Sequence, residues 1–268
     1  MKTKFRLNHR CFGSYQFGKK QITSAEIEEV VIGLESLSFE DYLECRSFDF
    51  TVSIFYSDDI LHELLSFLKT FNIKSSELIL AIHNKKQFYT KKIVNLYKSF
   101  NDATISELWD SKQQIKEYIT DLLTQNEMPE TIGCNILFKH RAIAFMEMID
   151  DIIEIAFQVA NELLDQSLKN RYSKYLLELK MFNKLRKKNI FDFQKKYNFS
   201  FNFDFCEAIE TGFKNIPKKL NKPLDITFYH TDEQKSYYKG FAPGLNGAMR
   251  IIPRLPLRDL FRTIKYGE

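Results

Sequence analysis

The sequence predicts a mainly α protein: a helical bundle with a short N-terminal strand segment and a small C-terminal two-stranded β element. Three observations carry that reading. Between Ala142 and Leu164, 16 of 23 residues are apolar, and Glu147, Asp151, Glu154, Gln158 and Glu162 recur at helical spacing as one narrow polar stripe. Hydroxyl residues followed three positions later by an acid, at Ser38–Asp41 and Thr104–Glu107, read as helix entries. Phe199, Phe201, Phe203 and Phe205 alternate with Ser200, Asn202 and Asp204, the period of a half-buried strand. The chain divides into an extended entry segment over 1–35, a helical bundle domain over 36–190, and a small α+β region with an arginine-containing tail over 191–268.

Taken in order, residues 1 to 25 hold Arg6, Arg10, Cys11, Gly13, Tyr15 and Gly18 in a turn-prone arrangement that leads into a short strand at Ile27, Val30 and Ile32. Ser38 caps a short helix through Arg46. From Phe48 to Tyr56 strand and helix compete, and helix is preferred. Asp58 and Asp59 then fall in a first turn, where the helix dipole favours acids, ahead of a wide apolar face formed by Ile60, Leu61, Leu64, Leu65, Phe67, Leu68 and Phe71. His62, Glu63, Ser66 and Lys69 take the opposite, solvated face.

A further helix runs from Ser76 to His83 and buries Leu78, Ile79 and Ile82. A polar connector rich in Lys and Asn follows. The box at Thr104 opens a helix bearing Leu108, Trp109, Ile115, Ile119, Leu122 and Leu123, and Met128-Pro129-Glu130-Thr131 separates it from the next element. The apolar helix after that supplies the centre of the fold between Ile132 and Leu168. Its acidic stripe, with His140 nearby, could bind a divalent ion, but the paired Glu-x-x-His motifs of bundle metal sites are missing, which favours solvation or pairing with Lys and Arg of the next helix. That helix, Arg171 to Lys188, ends in Lys184, Arg186, Lys187 and Lys188, cations that suit a helix C-terminus. A second strand spans Leu224 to His230. In Gly240–Gly247, glycines at 244 and 247 suggest a turn that aims the tail. Of ten arginines, four lie there, Arg250, Arg254, Arg258 and Arg262, and they form a candidate partner or anion surface. Pro253 and Pro256 leave only Arg258 and Arg262 on one helical face.

Composition narrows the function classes. With 44% hydrophobic and 15% aromatic residues over 268 positions, the chain can bury a sizeable core. The net charge of +4 comes from 39 basic residues, of which 10 are Arg, and this lysine bias argues against nucleic acid, whose binders usually carry arginine stripes. Cys11, Cys45, Cys134 and Cys206 are dispersed, which excludes local zinc or cluster spacing and suits reduced thiols in the cytoplasm. The N-terminus is not that of a signal peptide, and acids interrupt the most apolar span, so no membrane is expected. There is no glycine-rich phosphate loop, no Gly-x-Ser-x-Gly and no His-Glu-x-x-His. Catalysis by His and carboxylate converging from distant positions remains open, with His9, His62, His83, His140 and His230 on an equal footing.

The order Val31-Ile-Gly-Leu-Glu-Ser-Leu-Ser-Phe-Glu-Asp-Tyr-Leu-Glu-Cys-Arg-Ser-Phe48, followed by Phe55-Tyr-Ser-Asp-Asp59, resembles the C-terminal region of cobalamin-binding radical SAM proteins. Arg10-Cys-Phe-Gly-Ser-Tyr15 is similar to the segment that enters that region. The resemblance implies an accessory C-terminal domain, split or truncated, that shapes a substrate site or contacts a radical SAM catalytic chain. That family's Cys-x-x-x-Cys-x-x-Cys motif and cobalamin domain are missing here. Iron–sulfur cluster, S-adenosylmethionine and cobalamin are therefore expected only in a partner or a missing N-terminal part, and no cofactor ligand or metal ligand is assigned in this chain. The alternative is an independent helical binding protein for RNA or another polyanion, acting through the arginine tail.

Overall fold

In the computed structural model, which describes residues 1–8, 13–125, 135–240 and 244–266, eleven α-helices and seven strands form. The protein is mainly α, with β structure at both ends of the sequence. The N-terminal strands are β1 (Lys2–Leu7), β2 (Gly13–Phe17), β3 (Lys20–Ser24) and β4 (Ile27–Gly33). The helices α1 (Phe39–Phe55), α2 (His62–Lys69), α3 (Ser75–Asn84), α4 (Lys91–Ser106), α5 (Lys112–Gln125), α6 (Ile136–Glu147), α7 (Ile149–Leu163) and α8 (Gln166–Lys187) follow. After them come β5 (Tyr197–Phe203), α9 (Phe205–Glu210), β6 (Lys219–Tyr229), α10 (Asp232–Tyr238), α11 (Gly244–Ile251) and β7 (Thr263–Tyr266). The chain groups into two compact units, Met1–Asp49 with Asn95–His140, and Phe50–Val94 with Arg141–Glu268. These divisions fall inside α1, α4 and α6.

In the first unit β1 pairs with β4 antiparallel, and β2 pairs with β3 as a separate hairpin. The entry segment thus contains four strands, not the single one expected. Phe5 and Trp109 exchange backbone hydrogen bonds of 2.9 and 2.7 Å, which anchors β1 to the chain before α5. Arg6 bridges Glu28 at 2.5 Å and Glu107 at 3.1 Å. Trp109 is half-buried and lies against Tyr118, with ring centroids 5.2 Å apart. Ser38 caps α1 as expected, since its Oγ accepts from Asp41 N at 3.1 Å while Asp41 Oδ2 accepts from Ser38 N at 2.8 Å.

Thr104 corrects the second cap. It lies inside α4, fully buried, and its hydroxyl donates to Phe100 O at 2.8 Å. The capping box of α5 is instead Ser111 with Gln114, each side chain accepting from the other's backbone N–H at 3.2–3.3 Å. The polar connector contains most of α4, which buries Ile93, Leu96, Tyr97 and Phe100. The Met128–Thr131 breaker lies outside the described residues.

In the second unit, α7 packs on α8 and α3, and α8 packs on α2 and β5. The expected long central helix is two helices: Met148, with φ −131°, breaks the run between α6 and α7. The helix from Ser38 does not stop at Arg46 but continues to Phe55. The acids Asp58 and Asp59 are not in the first turn of α2. Both hold positive φ, 58° and 60°, in a kink ahead of it, and Asp58 bonds Arg141 at 2.5 Å. The helix expected from Ser76 begins one residue earlier, at Ser75, after Lys74, which gives it no side-chain cap.

The C-terminal phenylalanine alternation forms β5 only as far as Phe203, since Asp204 caps α9 and Phe205 opens it; β5 pairs antiparallel with β6, and β7 adds a third strand. Phe182 of α8 stacks on Phe205 at 4.6 Å and meets Phe228 edge-on at 5.4 Å, which ties sheet to helix. Gly244 to Gly247 opens α11 rather than making a free turn; Gly244 takes the φ of +79° that only glycine adopts readily.

Candidate functional site

A buried cluster of charged groups in the second unit sits where α8 meets α2. Glu63 is fully buried on α2, not on its solvated face. Lys187, one of the cations at the end of α8, is fully buried too. Its ammonium donates to Glu63 Oε2 at 2.5 Å, to Ile60 O at 2.8 Å and to Asn183 Oδ1 at 2.8 Å. Arg186 completes the cluster by donating to Glu63 Oε1 at 2.9 Å. Burial alone would raise the Glu63 carboxyl, but Lys187 and Arg186 outweigh it and hold the group ionised below its ordinary range. Burial also draws the Lys187 ammonium down, to about 8, against the pull of Glu63. Both groups are therefore charged at neutral pH.

Arg262 occupies the neighbouring end of α8. It is fully buried, and its guanidinium lies over Tyr197, 4.7 Å from the ring centroid. It donates to Lys195 O at 3.1 Å, Asn189 O at 3.0 Å, Asp192 O at 3.3 Å and also to Lys188 O. Its backbone N–H donates to Arg186 O at 3.0 Å. Lys188 is the residue that ends α8, and Asn189, Asp192 and Lys195 lie in the turns after it, so Arg262 ties the end of α8 to those turns from a distance in sequence. The expected anion surface therefore loses this member. Arg258 pairs with Asp59 at 3.1 Å, while Arg250 and Arg254 are exposed and make no ion pair among the described residues. The structure does not gather the four into one cationic face.

The histidines separate by environment. In the first unit, His140 Nδ1 donates to Ile136 O at 2.7 Å, so its Nε2 accepts from Ser99 Oγ at 3.1 Å. This is the order of a nucleophile, a base and an orienting acceptor, but a backbone carbonyl stands where such a triad has a carboxylate. In the second unit His83 meets Thr51 Oγ1 at 2.8 Å, and His62 meets Gly212 O at 3.3 Å. His230 Nε2 donates to Leu260 O at 2.8 Å, and burial pushes its pKa down to about 4. His9 lies outside the described residues.

Two members of the acidic stripe, Glu154 and Glu162, pair with lysines, as does the neighbouring Asp150. Glu154 accepts from Lys180 and Lys184 at 2.8 Å each, Asp150 pairs with Lys188 at 3.0 Å, and Glu162 pairs with Lys85. Among the described residues no group of three or more His, Cys, Asp or Glu could hold a metal ion, and no helix is long and apolar enough to cross a membrane. A cleft of about 310 Å³ lies between α7 and α8, beside Gln158, Leu177 and Lys180. Another, of about 510 Å³, is bordered by Asp204, Cys206, Glu207 and Lys222. Neither is lined by a histidine, and burial pushes the Cys206 thiol up to about 11, which keeps it protonated at neutral pH. Cys45 is a free exposed thiol; Cys11 and Cys134 lie outside the described residues.

Sequence reasoning missed Glu63, Lys187 and Arg262 as a buried set. The pattern that could have flagged Glu63 was its place beside Leu64 inside an apolar stretch. Comparison of the chain with protein-family models, with curated proteins and with solved structures gave no match.

Proposed function

We propose that this chain is a non-catalytic binding protein that docks on a partner chain. The observation that carries the reading is the saturation of Lys187, its most perturbed amine. All three ammonium N–H groups are spent on Glu63, Ile60 and Asn183 inside the core, whereas a base or nucleophile needs an open position and access to substrate. The resemblance between Arg10 and Asp59 names the partner: the catalytic chain of a cobalamin-dependent radical SAM enzyme. That chain would carry the iron–sulfur cluster, S-adenosylmethionine and cobalamin, and this one would help to shape its substrate site. The free thiols Cys45 and Cys206 support a reducing, cytoplasmic setting.

The test is anaerobic co-expression with the cobalamin-dependent radical SAM protein encoded nearest to this chain in its genome, followed by gel filtration. Co-elution of the two chains is the expected result. Separate elution in the presence of the loaded partner would overturn this reading.

A further inference from the structure

The hairpin of β2 and β3 holds its large apolar side chains in solvent. Its strands pair only with each other among the described residues, in the register Tyr15↔Ile22 and Phe17↔Lys20. Residues opposite one another in a ladder share a face, so Tyr15, Phe17, Lys20 and Ile22 lie together. That face is open: Phe17 is 77% exposed, Tyr15 57% and Ile22 45%. A two-stranded hairpin gains little stability alone and normally packs its apolar face away. Here that face is left to solvent, the mark of a binding surface.

The tip narrows the occupant. Gly18 turns the chain at φ +60°, and Lys19 and Lys20 follow it. Residues 13–24 contain no Asp or Glu, so every charge on the hairpin is positive. Tyr15 and Phe17 are same-face neighbours on one strand, so this face presents two adjacent rings, and Lys20 stands directly across from Phe17 beside them. Tyr15 leans back along its own strand: a Cβ placed on Gly13 would meet the Tyr15 hydroxyl at 3.3 Å, so the glycine gives the ring room to lie against the backbone.

We infer that this hairpin face binds single-stranded nucleic acid by stacking bases on Tyr15 and Phe17 with Lys19 and Lys20 on the phosphates. Stacking tolerates any base and needs no arginine stripe, so the lysine bias of the chain does not oppose it. The inference stands apart from the docking role proposed above.

The experiment uses the full chain carrying Phe17→Trp, titrated with 12-nucleotide oligouridylate and oligothymidylate. A base stacked on the new indole quenches its fluorescence, a readout that charge attraction alone does not produce. We expect quenching by one or both oligomers, and the pair of probes separates RNA from DNA. In the otherwise wild-type chain, Tyr15→Ala with Phe17→Ala should weaken binding by about tenfold or more by fluorescence anisotropy, with the circular dichroism spectrum unchanged. Arg250→Ala with Arg254→Ala should leave the quenching in place. Unchanged affinity in the Tyr15/Phe17 variant, no quenching, or quenching by phosphatidylserine vesicles or polyglutamate in place of the oligomers would each overturn the inference.

Discussion

Replacing Glu63 by glutamine removes the one carboxylate among the described residues that bonds both the buried Lys187 ammonium and the half-buried Arg186 guanidinium. Breaking a buried pair from one side is costly because the desolvated partner stays behind, so Glu63→Gln should lower unfolding free energy by about 3–5 kcal/mol. Glu63→Met with Lys187→Met, which removes both charges at similar volume, should cost clearly less than the single change. Urea unfolding midpoints of the two variants provide the check. A double variant as unstable as Glu63→Gln would mean that the pair, and not the stranded charge, sets the cost. The Lys187 position also explains why its role was illegible in the sequence. Lys184, Arg186, Lys187 and Lys188 look alike as a run of cations at a helix end, yet Lys187 is buried while Lys184 and Lys188 reach half-exposed acids on α7. One residue along a helix is a rotation of about 100°, enough to separate core from surface.

At the scale of the element, local chemistry sets how helices end. After α2, Asn72 holds φ +60°, its N–H donates to Lys69 O at 3.1 Å, and Ile73 N–H donates to Leu68 O at 3.2 Å. After α9, Gly212 holds φ +64° with the same pair of bonds, Gly212 N to Ile209 O at 3.0 Å and Phe213 N to Ala208 O at 2.7 Å. Both are left-handed helix stops of the kind glycine favours. Asn72→Gly should therefore stabilise the protein by about 0.5–1 kcal/mol, and Gly212→Ala should destabilise it by about 1 kcal/mol. A Cβ on Gly212 meets nothing within 4 Å, so the cost of alanine there is conformational and not steric. Thermal unfolding distinguishes the two by sign. The Ser38 cap was readable because a capping box is a short-range device. The Thr104 motif has the same spelling but lies within α4, where burial of the surrounding helix outweighs a cap signal worth about 1 kcal/mol.

At the scale of the whole molecule, buried imidazoles tie stability to pH. Burial holds His230 neutral down to about pH 4, and His140 is shifted in the same direction. Between pH 6.5 and 4 the unfolded chain therefore takes up protons that the folded one refuses, and stability falls as pH is lowered through that window. The His230 share is about 3 kcal/mol. Below the ordinary carboxyl range Glu63 and Glu154 add to the loss, because their salt partners hold them ionised only in the folded state. His230→Gln should flatten the slope of urea stability between pH 6.5 and 4, whatever it costs at pH 7; an unchanged slope would remove His230 from the account.

The sequence by itself determined the helical class, the Ser38 entry, the apolar faces of α2 and α7, and the strand through Phe199, Phe201 and Phe203. Each rests on a periodicity or a cap contained within about one or two turns of chain. Tertiary structure alone decided that Glu63 and Lys187 meet, that Arg262 closes the end of α8 instead of joining Arg250 and Arg254 on a surface, and that Tyr15 and Phe17 stay in solvent. Those outcomes depend on contacts between residues far apart in sequence, and on which face of a strand finds no neighbour, and neither leaves a local spacing to read.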